Sequence, residues 1–422
     1  MIRRVRIKGY KSFVDAELSL EPLTCLCGAN GSGKSNTFDA LGLLQALVLT
    51  PSLPDAIKSH RGTPLEAFRL PPGGMAALLE ERAATLTLEA DVRLPQDVME
   101  TVDEQIRDLR EGASARRRVV ERFLRYSVTV ELEIATGHVA VLEEDLVAIR
   151  RDGTLRPGRE PFLVRRRDEG GLRMEGQDHE VRSWRRGAGT TAAAPFYPPH
   201  HPHTAALREE VLRWSFHHLD PQRLAEDAPL REQKRPGPRG EGLAACLHTL
   251  KSRQREAFDA LNTGLSRLVP GVEGVDTELN PAAGLLQMVV RESGQVLPAR
   301  LASAGTLRVA GLLAVLAAAE AGALVGLEEP ENGVHPSRLE DLTAILRGHT
   351  GLNRGQIVIN THSPILAELF SSDHLVLCVK KRNTTTFTAV QNIAPLFRRQ
   401  EIKHALEPIE DDAASRQPSR NR

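Results

Sequence analysis

The strongest constraint on the fold is the glycine-rich stretch "GANGSGKSN" at residues 28–36. It satisfies the pattern GxxxxGK[ST], with Gly28, Gly33, Lys34 and Ser35 at the defining positions. The apolar run "LTCLC" precedes it, and leucines with helical spacing follow it. A strand, a glycine loop and a helix in this order predict a phosphate-binding loop.

Phosphate binding requires a loop whose backbone N–H groups can turn toward oxygen atoms without Cβ atoms in the way. We expect Lys34 to lie along the β- and γ-phosphates of ATP and Ser35 to bind Mg²⁺, with the helix N-terminus adding a favourable dipole. The nucleotide-binding residues predicted for this loop are Gly28, Asn30, Gly31, Ser32, Gly33, Lys34, Ser35 and Asn36.

A second carboxylate-bearing segment, "LVGLEE" at residues 324–329, ends an apolar run of strand length. A phosphate loop needs a carboxylate that holds the metal ion and a base that positions the attacking water. Glu328 fits the first role and Glu329 fits the second. The alternative, two glutamates that begin a solvated turn, loses weight once the phosphate loop is taken into account.

The order of predicted elements indicates an α/β fold. Strands and helices alternate near the C-terminus, which favours a parallel sheet, whereas residues 84–150 suggest a strand meander interrupted by a charged helical pair at 97–122. Residues 150–203 are rich in arginine and proline and are expected to form an exposed insertion.

Charge and composition exclude several classes of protein. Lys+Arg and Asp+Glu number 55 each, so the whole chain has no net field that attracts nucleic acid or membrane. The start "MIRRVRIKGYKSF" lacks the pattern of a signal peptide, and no apolar stretch reaches membrane-spanning length. Four cysteines without zinc or disulfide spacing favour a reduced, cytoplasmic location and no membrane partner.

Five motifs occur in the order and spacing of ABC-type ATPase heads: "RIKGYKSF", "GANGSGKSN", "SAGTLR", "LEEPENGVHP" and "NTHSP". The chain resembles the SMC and RecF group of these heads, especially stand-alone ATPases related to OLD-family proteins. The resemblance covers nearly the whole chain and is weakest between about residues 95 and 200. It implies a P-loop NTPase with a mixed or antiparallel β lobe, a mostly parallel sheet flanked by helices, and an inserted α/β region.

The resemblance also implies residue roles. Glu328 matches the Walker B carboxylate, Glu329 the catalytic glutamate, and His362 the switch histidine that senses the γ-phosphate; with Lys34, Glu329 and His362 are the expected catalytic residues. The segment 331–336 resembles the D-loop, and Lys11 is placed to reach the phosphates, although an exposed turn lysine fits equally well. The signature motif, which completes the site of a second copy, corresponds to Ser303, Ala304 and Gly305.

Three departures from the family pattern stand out. Ala304 replaces a commoner Gly or Asp, and Glu328 replaces Asp. No glutamine can be placed in the Q-loop, because Gln45 lies inside the predicted first helix.

Partners are predicted less directly. ATP-dependent pairing of two copies is expected from the signature motif. The arginine runs suggest contact with DNA or RNA, but a solvated insertion is the alternative because only Phe162 and Trp184 could supply stacking near them. The histidines at 200, 201, 203, 217 and 218 are poorly spaced for a metal site. The segment after residue 373 is too short for a TOPRIM nuclease region, so any nuclease or effector is expected to be a separate subunit.

The predicted function is therefore that of an ATPase which dimerises on ATP and acts on DNA or on a partner effector, in DNA maintenance or anti-phage defence. The alternatives are the ATPase subunit of a membrane transporter and a P-loop small-molecule kinase. The predicted divisions are a first head half at 1–75, the meander and insertion at 76–240, a second head half at 241–400, and a disordered tail at 401–422.

Overall fold

The computed structural model describes residues 1–108, 118–166, 171–175, 189–194, 198, 200–351, 354–395 and 398–407. The strands in these ranges are β1 (Ile2–Tyr10), β2 (Phe13–Ser19), β3 (Leu23–Cys27), β4 (Ala83–Arg93), β5 (Phe123–Glu133), β6 (His138–Ala148), β7 (Leu163–Arg166), β8 (Gly171–Met174), β9 (Ser215–His217), β10 (Ala228–Pro229), β11 (Val272–Asn280), β12 (Leu285–Glu292), β13 (Gln295–Pro298), β14 (Leu324–Glu328), β15 (Gln356–Thr361), β16 (Leu375–Lys381) and β17 (Thr384–Ala389).

The α-helices in the same ranges are α1 (Lys34–Leu49), α2 (Leu53–Ile57), α3 (Gly74–Glu80), α4 (Gln96–Asp108), α5 (Pro202–Leu212), α6 (Pro221–Leu224), α7 (Leu243–Arg253), α8 (Arg255–Leu268), α9 (Ala304–Ala318), α10 (Leu339–Gly348), α11 (Pro364–Glu368) and α12 (Arg398–Leu406). Within the described ranges, none of these helices combines the length and the apolar character needed to cross a membrane.

The central sheet has six strands in the order β17-β16-β3-β15-β14-β9, and every neighbouring pair except β16 with β17 is parallel. All five residues of β3 are buried, as its uninterrupted apolar sequence predicts for a strand covered on both faces. Parallel strands bring their carboxyl ends to one edge, so the loops after them converge there.

The strand register specifies which residues meet at this edge. Glu328 at the end of β14 lies opposite Asn360 of β15, and Thr361 lies opposite Cys27 of β3. On the other side of β14, Leu327 lies opposite His217 of β9. The phosphate loop, the two glutamates, the switch histidine and the residue after β9 therefore share one edge of the sheet.

The central sheet separates two hydrophobic cores. One face, with Leu26 and Val358, packs with α1 and α5 against a seven-stranded antiparallel sheet ordered β2-β1-β4-β5-β6-β7-β8. The opposite face, with Cys25 and Ile359, packs against α7, α8, α9 and α10. This alternation follows from the period-two side-chain pattern of strands.

The region between residues 84 and 203 agrees with the sequence prediction in part. The strand meander is present as β4, β5 and β6. Helix α4 is the first part of the expected helical pair, whereas residues 109–117 fall outside the described residues. The expectation of an exposed insertion at 150–203 is wrong in part, because β7 and β8 extend the antiparallel sheet and both Phe162 and Leu163 are buried.

Gln356 joins the two large sheets. Its side chain is 2% exposed; the amide nitrogen donates to Ile2 O at 2.7 Å and Glu21 O at 3.1 Å, and the amide oxygen accepts from Ile2 N at 2.9 Å. The first residue of β15 is thus hydrogen-bonded to both backbone groups at the start of β1, which ties the parallel sheet to the antiparallel one.

Candidate nucleotide-binding site

The glycine loop turns between β3 and α1 through left-handed backbone at Gly31 (φ 77°) and Gly33 (φ 105°), a conformation that favours glycine. The Lys34 ammonium is buried inside the turn and donates to Gly28 O at 2.7 Å and Ala29 O at 2.8 Å. Burial lowers the pKa of Lys34. The loop thus concentrates a desolvated positive charge where the sequence predicts phosphates.

The glycine loop packs closely against residues of strands β16 and β17. A Cβ on Gly28 would lie 2.3 Å from Cys378 O, and a Cβ on Gly33 would lie 2.4 Å from the Thr385 hydroxyl oxygen, so both positions require glycine. Thr385 Oγ1 donates to Ser32 O at 2.9 Å. The Ser32 hydroxyl is itself buried without a hydrogen-bond partner, a feature that an anionic oxygen in the loop would satisfy.

The remaining loop residues lie where the motif predicts. Asn30 is exposed, and Ser35 is half-buried in the first turn of α1, where its hydroxyl has no partner among the described residues. Asn36 Nδ2 donates to Ser12 Oγ at 3.0 Å, which connects α1 to the turn after β1. The free Ser35 hydroxyl is available to a metal ion.

The two glutamates take different positions. The Glu328 carboxylate, 5% exposed, contacts the Arg61 guanidinium and accepts from Asn360 Nδ2 at 3.3 Å. Glu329 leaves the strand with φ 48°, an uncommon left-handed conformation for a residue with a side chain. The Glu329 N–H donates to Asn360 Oδ1 at 3.0 Å, so the side chain that braces Glu328 also fixes the turn of Glu329.

The Glu329 carboxylate is held between two other predicted motifs. It accepts from Asn332 Nδ2 at 2.8 Å and lies 3.1 Å from His362 Nδ1. The catalytic glutamate, the D-loop segment and the switch histidine expected from the sequence therefore meet in one cluster. The contacts with Asn332 and His362 thus fix the orientation of the Glu329 carboxylate, and its role as the base stays a prediction.

Glu331 has a structural role beneath this cluster. Its carboxylate accepts from the Thr361 hydroxyl, and burial raises its pKa. Because Thr361 is the last residue of β15, the contact fixes the D-loop segment to the strand that carries His362.

Sequence reasoning missed an ion-pair chain beside Glu328. Lys11 Nζ lies 2.6 Å from Asp39 Oδ2, and Asp39 Oδ1 lies 3.1 Å from Arg61 Nε. Arg61 then contacts Glu328. Asp39 and Arg61 belong to no recognisable motif, and Arg61 comes from the stretch at 51–74 that the sequence marks only as irregular. Lys11 is thus at the edge of the site, and its contact with phosphate stays a prediction.

The predicted signature residues start helix α9. Ser303 is the N-cap, and its hydroxyl accepts from Thr306 N at 3.0 Å. Ser303 and Ala304 are exposed, and a Cβ on Gly305 would lie 3.1 Å from the Cα of Gly333. The signature and the D-loop segment thus touch through two glycines and form one surface.

Of the histidines that the sequence singles out, His203 has a structural role. His203 is buried; its Nε2 accepts from Val120 N and Glu121 N, and its Nδ1 lies 2.7 Å from the Glu175 carboxylate. Its contacts are those of a structural histidine, and the described residues contain no cluster of three potential metal ligands.

The residues present fit Mg²⁺. Ser35 and Glu328 offer hydroxyl and carboxylate oxygens, the ligand types that Mg²⁺ prefers. When bound, the ion would neutralise charge on the ATP phosphates. In the structure, the Glu328 carboxylate is paired with the positively charged guanidinium of Arg61.

Family models match both halves of the site. Residues 1–107, which contain the glycine loop, match "AAA ATPase domain". Residues 210–368, which contain the signature, the glutamate pair and His362, match "AAA domain, putative AbiEii toxin, Type IV TA system". The two matches leave out residues 108–209, which include most of the region where the sequence resemblance is weakest, and residues 369–422. Among curated proteins, no sequence matches the chain significantly.

Solved structures share the fold. The Smc head bound to the C-winged helix domain of ScpA is 14% identical, with 92% of this chain and 97% of that chain covered and a TM-score of 0.50. The Smc head domain with an extended coiled coil from Pyrococcus furiosus, bound to the C-terminal domain of ScpA, is 12% identical, with 96% and 98% covered and a TM-score of 0.50. The predicted fold class is confirmed: the chain is a P-loop ATPase with the fold of an SMC head.

Proposed function

We propose that the chain is an ATP-driven switch in which two copies enclose ATP between the glycine loop of one and the start of α9 of the other. The exposed N-terminus of α9 carries this proposal. Its Ser303 and Ala304 face solvent, so the first N–H groups of a 15-residue helix are accessible to an anion held by a second copy. Leu301 beside them is 66% exposed, which a partner surface would cover.

The contact between Gly305 and Gly333 supports the same arrangement. It joins the signature to the D-loop segment, whose Asn332 binds Glu329. A second copy that docks on α9 would therefore contact the D-loop segment, which positions the Glu329 carboxylate. Ala304 departs from the family pattern without consequence for this surface, because its methyl group is exposed.

Ser303→Arg should prevent ATP-dependent pairing while leaving ATP binding to the single copy unchanged. The arginine would place bulk and positive charge at the helix start that has to approach the partner's nucleotide. The measurement is mass in solution with ATP in the Glu329→Gln background, in which ATP should persist. Ser266→Arg, on the exposed side of α8, is the control and should still pair. A Ser303→Arg protein that pairs as well as this control would refute the enclosed-ATP arrangement.

Four arginines of the insertion, Arg156, Arg159, Arg165 and Arg166, are poor candidates for nucleic-acid contact. Arg156 and Arg159 both pair with Glu121, and Arg166 pairs with Asp145 at 2.8 Å. Arg165 is buried and donates to Gly189 O at 3.0 Å. Arg167 and Trp184 lie outside the described residues. The charges that the sequence suggested for DNA contact are thus largely used within the protein.

A second basic cluster, which includes Arg151 of the insertion, supports DNA contact. Arg3, Arg93, Arg122 and Arg151 lie at one end of the antiparallel sheet, where Arg93 is opposite Phe123 and the Arg3 guanidinium is 5.9 Å from the Phe123 ring. Burial and the charges of the other three arginines lower the pKa of Arg93. In the described part of the chain, none of the four forms a salt bridge. We propose that this basic cluster binds the phosphate backbone of double-stranded DNA.

Replacing two members of the cluster, Arg93→Ala with Arg122→Ala, should weaken DNA binding and flatten its salt dependence. Each lost phosphate contact should reduce the slope of log affinity against log salt by about 1, so the expected reduction is about 2. The double replacement Arg223→Ala with Arg253→Ala, at exposed sites on the other side of the molecule, is the control. An unchanged slope, or the absence of salt-dependent binding by the unaltered protein, would remove DNA from the proposal.

One family-model match also bears on the biological setting. The family model that covers residues 210–368 names a toxin of a toxin–antitoxin system, which supports a defence role in the cytoplasm with a separate effector subunit. DNA maintenance is the alternative, and the kinship with OLD-family proteins remains a resemblance. The exposed signature surface favours the switch over a small-molecule kinase, since a kinase has no use for it.

A further inference from the structure

The sequence offers no glutamine for the Q-loop, but the fold identifies the place where such a residue would stand. Strand β9 is the parallel neighbour of β14, and His217 lies opposite Leu327. His218, which follows β9, and Glu328, the last residue of β14, therefore lie at the same edge of the sheet. Gln45, the glutamine considered from sequence, instead has its amide nitrogen hydrogen-bonded to Val211 O and Trp214 O.

The backbone around His218 is well fixed. The His218 N–H donates to Pro238 O at 2.9 Å, and Phe216 packs edge-to-face on Phe38 of α1 with ring centroids 6.4 Å apart. His217 is buried, and its Nδ1 lies 3.2 Å from Gly237 O. His217, the last residue of β9, is thus buried and His218 after it is exposed, and both line the small cavity beside Glu328 and Glu329.

The His218 side chain opens onto the catalytic groups. It lines a small cavity together with Glu328, Glu329, Arg308 and Asn332. It also lines a groove of about 930 Å³ that contains Arg61 and Glu328. The ring is exposed, and within the described ranges it has no hydrogen-bond partner. An imidazole without a partner beside two carboxylates is available to a ligand of the site.

Imidazole can replace a carboxamide in this role. Neutral histidine has one N–H donor and one nitrogen acceptor, and a glutamine side chain likewise offers a donor and an acceptor. Either group can accept from a water molecule, donate to a phosphate oxygen or bind a divalent cation.

We propose that His218 is a positioning residue for hydrolysis, acting from the end of β9 on the metal-bound water and γ-phosphate of ATP. The proposal rests on ATP hydrolysis at this site and assigns the sensor position to a histidine of this chain.

The test compares His218→Ala, His218→Gln and the exposed control His138→Ala. His218→Ala should reduce kcat by about 10-fold to 100-fold, as expected for a lost residue in the outer shell of a metal site, while KM for ATP changes little. His218→Gln should recover most of the lost rate, because the amide restores the donor and acceptor. His138→Ala should behave as the unaltered protein.

A second readout does not depend on turnover. In the Glu329→Gln background, binding of Mn²⁺ in the presence of ATP can be followed by electron paramagnetic resonance. His218→Ala should weaken Mn²⁺ binding about 10-fold, and His218→Gln should not.

Two results would overturn the proposal. The first is His218→Ala with unaltered kcat and Mn²⁺ affinity. The second is equal loss in His218→Ala and His218→Gln together with a lower melting temperature, which would indicate a structural histidine. Failure of the unaltered protein to hydrolyse ATP would instead refute the ATPase assignment, so the two failures are distinguishable.

Discussion

Glu329→Gln should reduce ATP hydrolysis by about 100-fold or more and leave ATP binding intact, because the amide cannot accept a proton from the attacking water. Glutamine has nearly the same shape as glutamate and can keep the contact with Asn332, so the cluster around it should persist. With hydrolysis blocked, the ATP-bound pair should accumulate. Steady-state phosphate release and mass in solution, each with and without ATP, measure the two effects.

Glu340→Gln, on the exposed face of α10, is a matched control for the loss of one carboxylate and should change neither measurement. A Glu329→Gln protein that binds ATP tightly but remains a single copy would contradict the enclosed-ATP arrangement. Hydrolysis at the unaltered rate would contradict the role of Glu329 itself.

Lys34→Ala should abolish ATP binding at micromolar concentrations. Removing one partner of a buried, hydrogen-bonded charge pair costs about 2–5 kcal/mol, which corresponds to a loss of affinity of about 30-fold to several thousand-fold. The fold itself should tolerate the change, since the ammonium is buried without a carboxylate partner and its removal relieves the cost of burying a charge.

Isothermal titration with ATP and Mg²⁺ measures the affinity, and thermal unfolding without nucleotide verifies that the variant is folded. Lys58→Ala is the control, because Lys58 is an exposed lysine that pairs only with Asp55. Equal ATP affinity of Lys34→Ala and Lys58→Ala would refute the assignment of the phosphate loop.

The parts of the site that lie within short motifs could be predicted from the sequence. The strand, loop and helix around Lys34 carry local signals, namely an apolar run, glycines and helical spacing. The adjacent glutamates are separated by the end of a strand, so their different positions follow from local geometry. The central sheet and its parallel order could be expected from the alternation of strands and helices.

The parts that depend on distant contacts could not be predicted. Arg61 contacts a carboxylate 267 positions later in the chain, and nothing in its own neighbourhood indicates this. Strand β9 has three residues, too few to show a period of two, so the position of His218 follows only from the pairing of β9 with β14. The insertion arginines show that composition alone does not reveal pairing, because Arg156 and Arg159 are paired with Glu121 and Arg166 is paired with Asp145.

The hydrogen bonds of Gln356 bear on how the molecule can move. Both backbone groups of Ile2 are engaged by one buried side chain, so the two large sheets cannot slide past one another without breaking two buried hydrogen bonds. The two sheets should therefore act as a single stiff frame. A movement of the helical layer on the opposite face of the central sheet, α7 to α10, would leave these hydrogen bonds intact.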